Sequence, residues 1–128
     1  MKPRILIVDN EPEACRVFSM MLALQGYRTE IASNGLEALA RVHREPPDLI
    51  FLDVLLPGID GLSVCREIRS TIGLEDIPII LVSARAHQED MREGLAAGAD
   101  AYLAKPVGLD EVLLAIRNVF SRRGLTAL

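Results

Sequence analysis

The chain has 128 residues, of which half are hydrophobic and a quarter are charged, and its formal net charge is −4. This length and composition indicate one domain with a buried core and exclude an intrinsically disordered chain. The negative charge and the scarcity of aromatic residues argue against a nucleic-acid interface. The apolar runs are too short for a membrane span, and no signal-peptide pattern precedes the first of them. We therefore predict a soluble, cytoplasmic protein without direct contacts to nucleic acid or membrane.

The first predicted strand is the short apolar run Ile5-Leu6-Ile7-Val8, which the polar residues Asp9-Asn10-Glu11 follow. Asn10 and Glu13 have the spacing of a helix cap, so we predict that a helix begins there. The alternating segment Arg28–Ala32 then predicts a second strand.

Asn34 and Glu37 have the same capping spacing and predict the start of a second helix. The third predicted strand is Leu49–Leu52, four apolar residues that lead directly into Asp53. A short continuous apolar run of this kind predicts a strand that is buried on both faces. Asp60-Gly61 predicts the start of the next helix, with Asp60 as a capping residue.

The remaining predicted elements are a strand, a helix, a strand and a helix over Pro78–Val82, Gln88–Ala97, Ala101–Ala104 and Leu109–Ser121. Strand and helix alternate five times, which predicts an α/β fold: a single doubly wound parallel sheet with five helices on both faces. We predict a domain over residues 1–121, with 122–128 as a C-terminal tail or the start of a linker.

Two cysteines, Cys15 and Cys65, lie far apart in the sequence and lack the paired spacing of a metal or redox motif. Both fall in helical patterns. We therefore predict two reduced thiols that pack in the interior.

Polar residues directly follow four of the five predicted strands. Ligands of an open doubly wound sheet bind outside the carboxyl ends of its strands, so these residues are predicted to meet. The residues after strands one, three, four and five are, in order, Asp9, Asn10 and Glu11, then Asp53, then Ser83, then Lys105.

This set of side chains has a definite chemistry. Crowded carboxylates repel one another and favour a bound cation, and oxygen ligands of this kind select magnesium. The ammonium of Lys105 and the hydroxyl of Ser83 suit a phosphoryl group. A carboxylate can itself accept that group as an aspartyl-phosphate, and Asp53 is the best candidate because it ends the central apolar run.

Together, and in this order, several segments make the chain resemble the receiver domain of bacterial two-component response regulators over essentially its full length. The matching segments are Ile5–Asp9 with Glu11-Pro12, Pro47–Asp53, Leu56–Gly61, Val82–Ala84, Gly94 with Ala97–Asp100, and Tyr102–Pro106.

The resemblance implies a flavodoxin-like sheet with the strand order 2-1-3-4-5. It implies that a sensor histidine kinase or a phosphotransfer protein phosphorylates Asp53, and that Lys105 contacts a phosphoryl oxygen. It further implies a cis peptide bond between Lys105 and Pro106. The Ser83 hydroxyl and the Tyr102 ring would move together as a switch, and the chain would be no enzyme beyond its own phosphotransfer and dephosphorylation.

The resemblance also implies a magnesium ion held by Asp9, Asp53 and the backbone carbonyl of Leu55. The chain departs from the family at Asn10, where the family usually has a second acid that binds the metal directly. The Asn10 amide oxygen carries no charge, so we predict weak magnesium binding. Glu11 is a candidate for supplying the missing charge.

The signal would leave through the face formed by helix four, strand five and helix five, toward an output domain or a downstream protein. Some dimerising members of the family pair an acid and an arginine across this face. Ala101 and Ala115 occupy those positions here, so a homodimer of that kind is not supported.

Other interpretations stay open at this point. Asn10 and Ser83 could cap helices, Lys105 could be a solvated loop residue, and Glu11 could be a first-turn acid. Tyr102 could be an ordinary strand aromatic. An alternative function is a phosphorylation-independent interaction module, which Asn10 favours. Two kinds of enzyme are disfavoured. Asp9-Asn10-Glu11 would repel the phosphate of a flavin. An aspartyl-phosphate phosphatase usually has a general acid two residues after its nucleophile, and that position is Leu55 here.

Overall fold

Residues 3–124, which the computed structural model describes, alternate between five strands and five helices. None of these helices is both long enough and apolar enough to cross a membrane. The strands are β1 (Arg4–Val8), β2 (Arg28–Ala32), β3 (Leu49–Asp53), β4 (Ile79–Ser83) and β5 (Ala101–Ala104). The helices are α1 (Pro12–Leu24), α2 (Gly35–Arg44), α3 (Gly61–Arg69), α4 (Gln88–Ala96) and α5 (Leu109–Arg122).

The five strands form one parallel sheet in the order β2-β1-β3-β4-β5. The strand order and the doubly wound architecture are confirmed as predicted. Because β2 lies at one edge, the carboxyl ends of the other four strands are neighbours. This arrangement places the predicted polar residues along one edge of the sheet.

Alternate residues of the strands face two separate cores. Ile7 and Phe51 pack in the core beneath α1 and α5, whereas Leu6 and Leu52 pack in the core beneath α2 and α3. Both faces of the sheet are therefore covered, which explains why its strands are continuous apolar runs.

Two of the three helix caps expected from the sequence are confirmed. Asn34 Oδ1 accepts a hydrogen bond from Glu37 N at 2.8 Å, and Asp60 Oδ1 accepts one from Ser63 N at 2.8 Å. The cap predicted at Asn10 is wrong, because α1 begins at Pro12 with Glu11 as its N-cap.

The reason for this difference lies one residue earlier in the chain. Asp9 Oδ1 accepts the hydrogen bond from Glu11 N, at 3.0 Å, and so turns the chain before the helix starts. Pro12 then occupies a helix-starting position that its fixed φ angle favours. Asn10 is left exposed in the bend between them.

The end of α5 lies one residue beyond its predicted end. Arg122 is helical, and the Arg123 side chain binds Asp100, with Arg123 Nε and Asp100 Oδ1 at 2.9 Å. Both residues therefore contact the domain. The domain boundary at residue 121 stays a prediction, and residues 125–128 of the predicted tail lie outside the described residues.

Both cysteines are buried free thiols, as predicted. Cys15 lies in the core beneath α1 and α5, and Cys65 lies in the core on the opposite face of the sheet. Burial raises the pKa of each thiol. Each therefore stays protonated over a wider pH range than a free cysteine.

Candidate functional site

Lys105 joins two carboxylates at the carboxyl edge of the sheet. Its Nζ atom lies 2.8 Å from Asp9 Oδ2 and 2.9 Å from Asp53 Oδ2. Asp9 follows β1, Asp53 is the last residue of β3, and Lys105 follows β5. Three segments distant in sequence thus deliver their charged groups to one point, as the strand order predicted.

The two carboxylates are held in the same way. Asp9 Oδ1 accepts a hydrogen bond from Glu11 N, and Asp53 Oδ1 accepts one from Leu55 N, both at 3.0 Å. In each case the backbone amide two residues later fixes one oxygen, and Lys105 fixes the other. Both side chains are buried, with residue exposures of 8% for Asp9 and 6% for Asp53. Such pre-positioned carboxylates need little reorganisation to bind a further cation.

Two opposing effects determine the pKa of the Lys105 ammonium group. Its partial burial lowers the pKa of the ammonium group, but the hydrogen bonds and charges of Asp9 and Asp53 outweigh this and raise the pKa above its usual value. Lys105 N also donates to Ser83 O at 2.9 Å, which ties the residue to the end of β4. The peptide bond between Lys105 and Pro106 is cis, as predicted.

The raised pKa of Lys105 predicts a loss of stability in alkaline solution. The unfolded chain releases the lysine proton near pH 10.5, the ordinary value, before the folded chain does. This contribution is therefore fully present below that pH and is lost as the pH rises through the folded-state pKa. Urea unfolding in EDTA at a series of pH values should show a steeper decline for the wild-type chain than for Lys105→Met. Parallel declines would contradict the prediction, since the cysteines and tyrosines titrate in both proteins.

Ser83 and Tyr102 both bind backbone groups of Arg85, and their side chains also interact with each other. Ser83 Oγ accepts a hydrogen bond from Arg85 N at 3.0 Å, and the Tyr102 hydroxyl donates to Arg85 O. Ser83 is fully buried at the end of β4, whereas Tyr102 is half-buried in β5. Ser83 does not cap α4, because that helix begins at Gln88 with His87 as its N-cap.

Arg85 was not singled out from the sequence. Its role depends on its backbone N–H and C=O groups, and those groups leave no side-chain signature. The only available signal was its position two residues after the end of β4.

Asn10 and Glu11 lie beside the carboxylates but are both exposed. Glu11 lines the same cavity as Asp9 and Asp53, but its hydrogen bonds are made by its backbone, from Glu11 N to Asp9 Oδ1 and from Cys15 N to Glu11 O. Within residues 3–124, no group of three or more Asp, Glu, His or Cys side chains is arranged to hold a metal ion.

The donor set fits magnesium in chemistry, since Asp9 and Asp53 offer hard carboxylate oxygens at one point. The donor set carries two negative charges, one fewer than a site with an acid at position 10 would have. The remaining ligands would be the neutral oxygens of the Leu55 carbonyl, of Asn10 or of water.

Comparison with known proteins shows which family the chain is similar to. A family model described as the response regulator receiver domain matches residues 5–117. The chain is 44% identical over 119 residues to the response regulator MprA of Mycobacterium leprae, and 42% identical over 120 residues to the transcriptional regulatory protein BaeR of Escherichia coli. These matches cover 93% and 94% of this chain but 51% and 49% of the relatives, so the chain spans about half their length.

Solved structures give the same result. A response regulator from Chloroflexus aurantiacus superposes with a TM-score of 0.91 at 33% identity, over 95% of this chain and 100% of that one. The receiver domain of the sensor histidine kinase PA1611 from Pseudomonas aeruginosa superposes with a TM-score of 0.85 at 34% identity, over 93% of this chain and 98% of that one. That structure contains a magnesium ion coordinated in its active-site cleft.

Proposed function

Because the chain belongs to the response regulator receiver domain family, we propose that Asp53 accepts a phosphoryl group from the phosphohistidine of a sensor histidine kinase or a phosphotransfer protein. The observation that carries this proposal is the placement of Lys105 between the Asp9 and Asp53 carboxylates, within 2.9 Å of both. A purely structural lysine would not require two buried acids at the ends of two neighbouring strands.

In the proposed reaction a carboxylate oxygen of Asp53 attacks the phosphorus atom. The new P–O bond forms as the P–N bond to the donor histidine breaks, and the imidazole leaves with its electron pair and takes up a proton. Lys105 offers its positive charge to the phosphoryl oxygens. Magnesium, held by Asp9, Asp53 and the Leu55 carbonyl, supplies charge neutralisation when bound. The chain performs this self-phosphorylation but catalyses no reaction on another substrate.

Phosphorylation would change the structure through Ser83, Arg85 and Tyr102. A phosphoryl group on Asp53 adds charge and acceptor oxygens beside the end of β4, where the Ser83 hydroxyl lies. If the Ser83 hydroxyl turns to donate a hydrogen bond to that group, Oγ moves away from Arg85 N, and the carbonyl of Arg85 that Tyr102 binds is disturbed. Gly94 is the buried residue of α4, so this helix is weakly anchored and suited to move.

A phosphorylation-independent interaction module is the second candidate. Asn10 favours it, because the metal site lacks one charge. The intact group of Asp53, Lys105 and Ser83 favours phosphotransfer instead.

The proposal is tested by incubating the protein with magnesium and acetyl phosphate and measuring its intact mass. We expect the addition of one phosphoryl group to the wild-type chain and none to Asp53→Ala. Asp110→Ala removes an exposed acid from the first turn of α5 and should be phosphorylated like the wild type.

Wild-type protein that gains no mass, and shows no spectral change with beryllofluoride and magnesium, would instead support the interaction module. Equal labelling of Asp53→Ala would place the acceptor elsewhere.

Asn10→Asp is expected to tighten magnesium binding by about tenfold, since it adds a full negative charge beside Asp9 and Asp53. The measurement is a magnesium titration followed by NMR shifts of the Asp9 and Asp53 backbone amides, which does not depend on phosphotransfer. Asn118→Asp adds the same charge on an exposed part of α5 and should leave the midpoint unchanged. Equal midpoints for wild type and Asn10→Asp would refute a direct role of this position.

A further inference from the structure

A cavity of about 640 Å³ opens beside Asp53, between α1 and the segment that connects β5 to α5. Its floor consists of Ile7, Phe51 and Val82, which face α1 and α5 from three neighbouring strands. This volume lies within the range of small-molecule sites in proteins. The cavity is therefore large enough for a ligand as well as adjacent to the phosphorylation site.

The walls of the cavity are apolar. Val17, Phe18 and Met21 of α1 form one side, and Val107 lies on the other. Phe18 packs edge-on against Phe51, with ring centroids 4.9 Å apart and an interplanar angle of 84°. Val17 is 56% exposed. An apolar ligand would remove this surface from water and gain the corresponding free energy.

The charges around the cavity are predominantly negative. Four carboxylates contribute to its lining, and Lys105 is the one basic residue among them. The Lys105 ammonium is already bound to two of these carboxylates. The other two, those of Glu11 and Glu13, are exposed, and Glu13 forms a solvent-exposed ion pair with Arg16 at 3.3 Å. The end of the cavity at Glu11 and Glu13 therefore favours cations over anions.

We propose that this cavity binds an organic cation, with an apolar body packed against Phe18 and Val107 and an ammonium group close to Glu11 and Glu13. The charge of the lining selects this class over fatty acids, nucleotides and other anions. Binding itself does not depend on phosphotransfer. Its consequence does rest on the proposed function, because a ligand in this position would narrow the approach of a phosphodonor to Asp53.

Three probes of one shape and different charge test the proposal: 4-phenylbutylamine, 4-phenylbutanol and 4-phenylbutyrate. Binding to the unphosphorylated protein is measured by NMR, through the methyl signals of Val17 and Val107. We expect the amine to bind about fivefold more tightly than the alcohol, the effect of a pair of exposed charges. The carboxylate should bind most weakly of the three.

Two pairs of variants separate the apolar and the charged contributions. Ala14→Phe places a ring in the cavity and should weaken amine binding by more than about tenfold, since the apolar body would be excluded. Ala23→Phe places the same ring on an exposed part of α1 outside the cavity and should leave binding unchanged. Glu13→Gln should reduce the preference for amine over alcohol, whereas Glu111→Gln on α5 should not.

Each outcome of these experiments either supports or overturns the proposed binding of an organic cation. An amine that does not bind, or that binds no better than the carboxylate, would overturn the proposal. A concentration-dependent dimer that Ala14→Phe abolishes would assign the cavity to a second copy of the chain and would also overturn it. Binding of the amine to Asp53→Ala supports the cavity as the binding site. Slower labelling of the wild type by acetyl phosphate when the amine is present supports its effect on phosphotransfer. Amine binding without any labelling of the wild type would support the cavity and refute the proposed function separately.

Discussion

Gly61→Ala is expected to lower the free energy of unfolding by about 2–4 kcal/mol and to displace Asp53. A Cβ atom at position 61 would lie 2.2 Å from the carbonyl oxygen of Asp53 and 2.7 Å from the Cα atom of Val54. Both are backbone atoms, so no side-chain rotation can relieve the contact. Gly61 N also donates to Val54 O at 2.9 Å, which holds the start of α3 directly against the end of β3. Either α3 or the acceptor strand must move.

The effect is measured by urea unfolding and by the initial rate of labelling with acetyl phosphate at low temperature. Gly108→Ala is the matched control, because a Cβ atom there meets nothing within 4 Å. Gly108 is the N-cap of α5, so this control should cost only about 0.5–1 kcal/mol and leave the labelling rate unchanged. Equal stability losses for the two variants would show that α3 can shift freely away from Asp53.

Gly61 also shows how far the sequence could predict the site. The pattern Asp60-Gly61 indicated the start of a helix, and the structure confirms that start and the Asp60 cap. It did not indicate that the helix touches the Asp53 backbone. That approach depends on how α3 packs over β3, and local propensity carries no information about it.

Lys105 illustrates what was predictable. Parallel strands end at a common edge, so the alternation of strands and helices predicted that Lys105 lies at the same edge as Asp9 and Asp53, whereas the strand order came from the family resemblance. Asn10 illustrates the opposite case. Asn10 and Glu13 have the spacing of a cap, but the Asp9 side chain accepts the Glu11 amide and turns the chain there, so α1 begins at Pro12 with Glu11 as its N-cap. The role of Arg85 could not be predicted from the sequence, because it depends on the backbone N–H and C=O groups of this residue.

Helix α1 shows a further limit of periodicity. Val17 and Leu24 lie seven residues apart and so share one face of this helix, and apolar residues at that spacing are typical of a buried face. They are 56% and 83% exposed. The periodicity identifies an apolar face but not its buried width, and the gap between α1 and the β5–α5 segment leaves part of that face uncovered.

Asp100→Asn is expected to lower the free energy of unfolding by about 2–4 kcal/mol, because it leaves two largely buried guanidinium groups without a counter-charge. Asp100 Oδ2 lies 3.0 Å from Arg69 Nη2, and Asp100 Oδ1 lies 2.8 Å from Arg123 Nη2. Asp100 Oδ2 also accepts a hydrogen bond from Ile79 N at 2.8 Å. Burial lowers the pKa of Arg69, and the charge of Asp100 partly offsets this effect, so Asp100 compensates for the burial of the guanidinium group.

Urea unfolding measures the loss, with Glu13→Gln as a control for an exposed ion pair. Glu13 lies 3.3 Å from Arg16, but the two side chains are 83% and 63% exposed, so that change should cost less than about 0.5 kcal/mol. Asp100 binds the amino end of β4, whereas Asp53 ends β3 at the carboxyl edge of the sheet. Folded Asp100→Asn protein should therefore accept a phosphoryl group at the wild-type rate. A slower rate in the folded variant would mean that the two edges of the sheet are coupled, since no contact of Asp100 reaches Asp9, Asp53 or Lys105 in the described part of the chain.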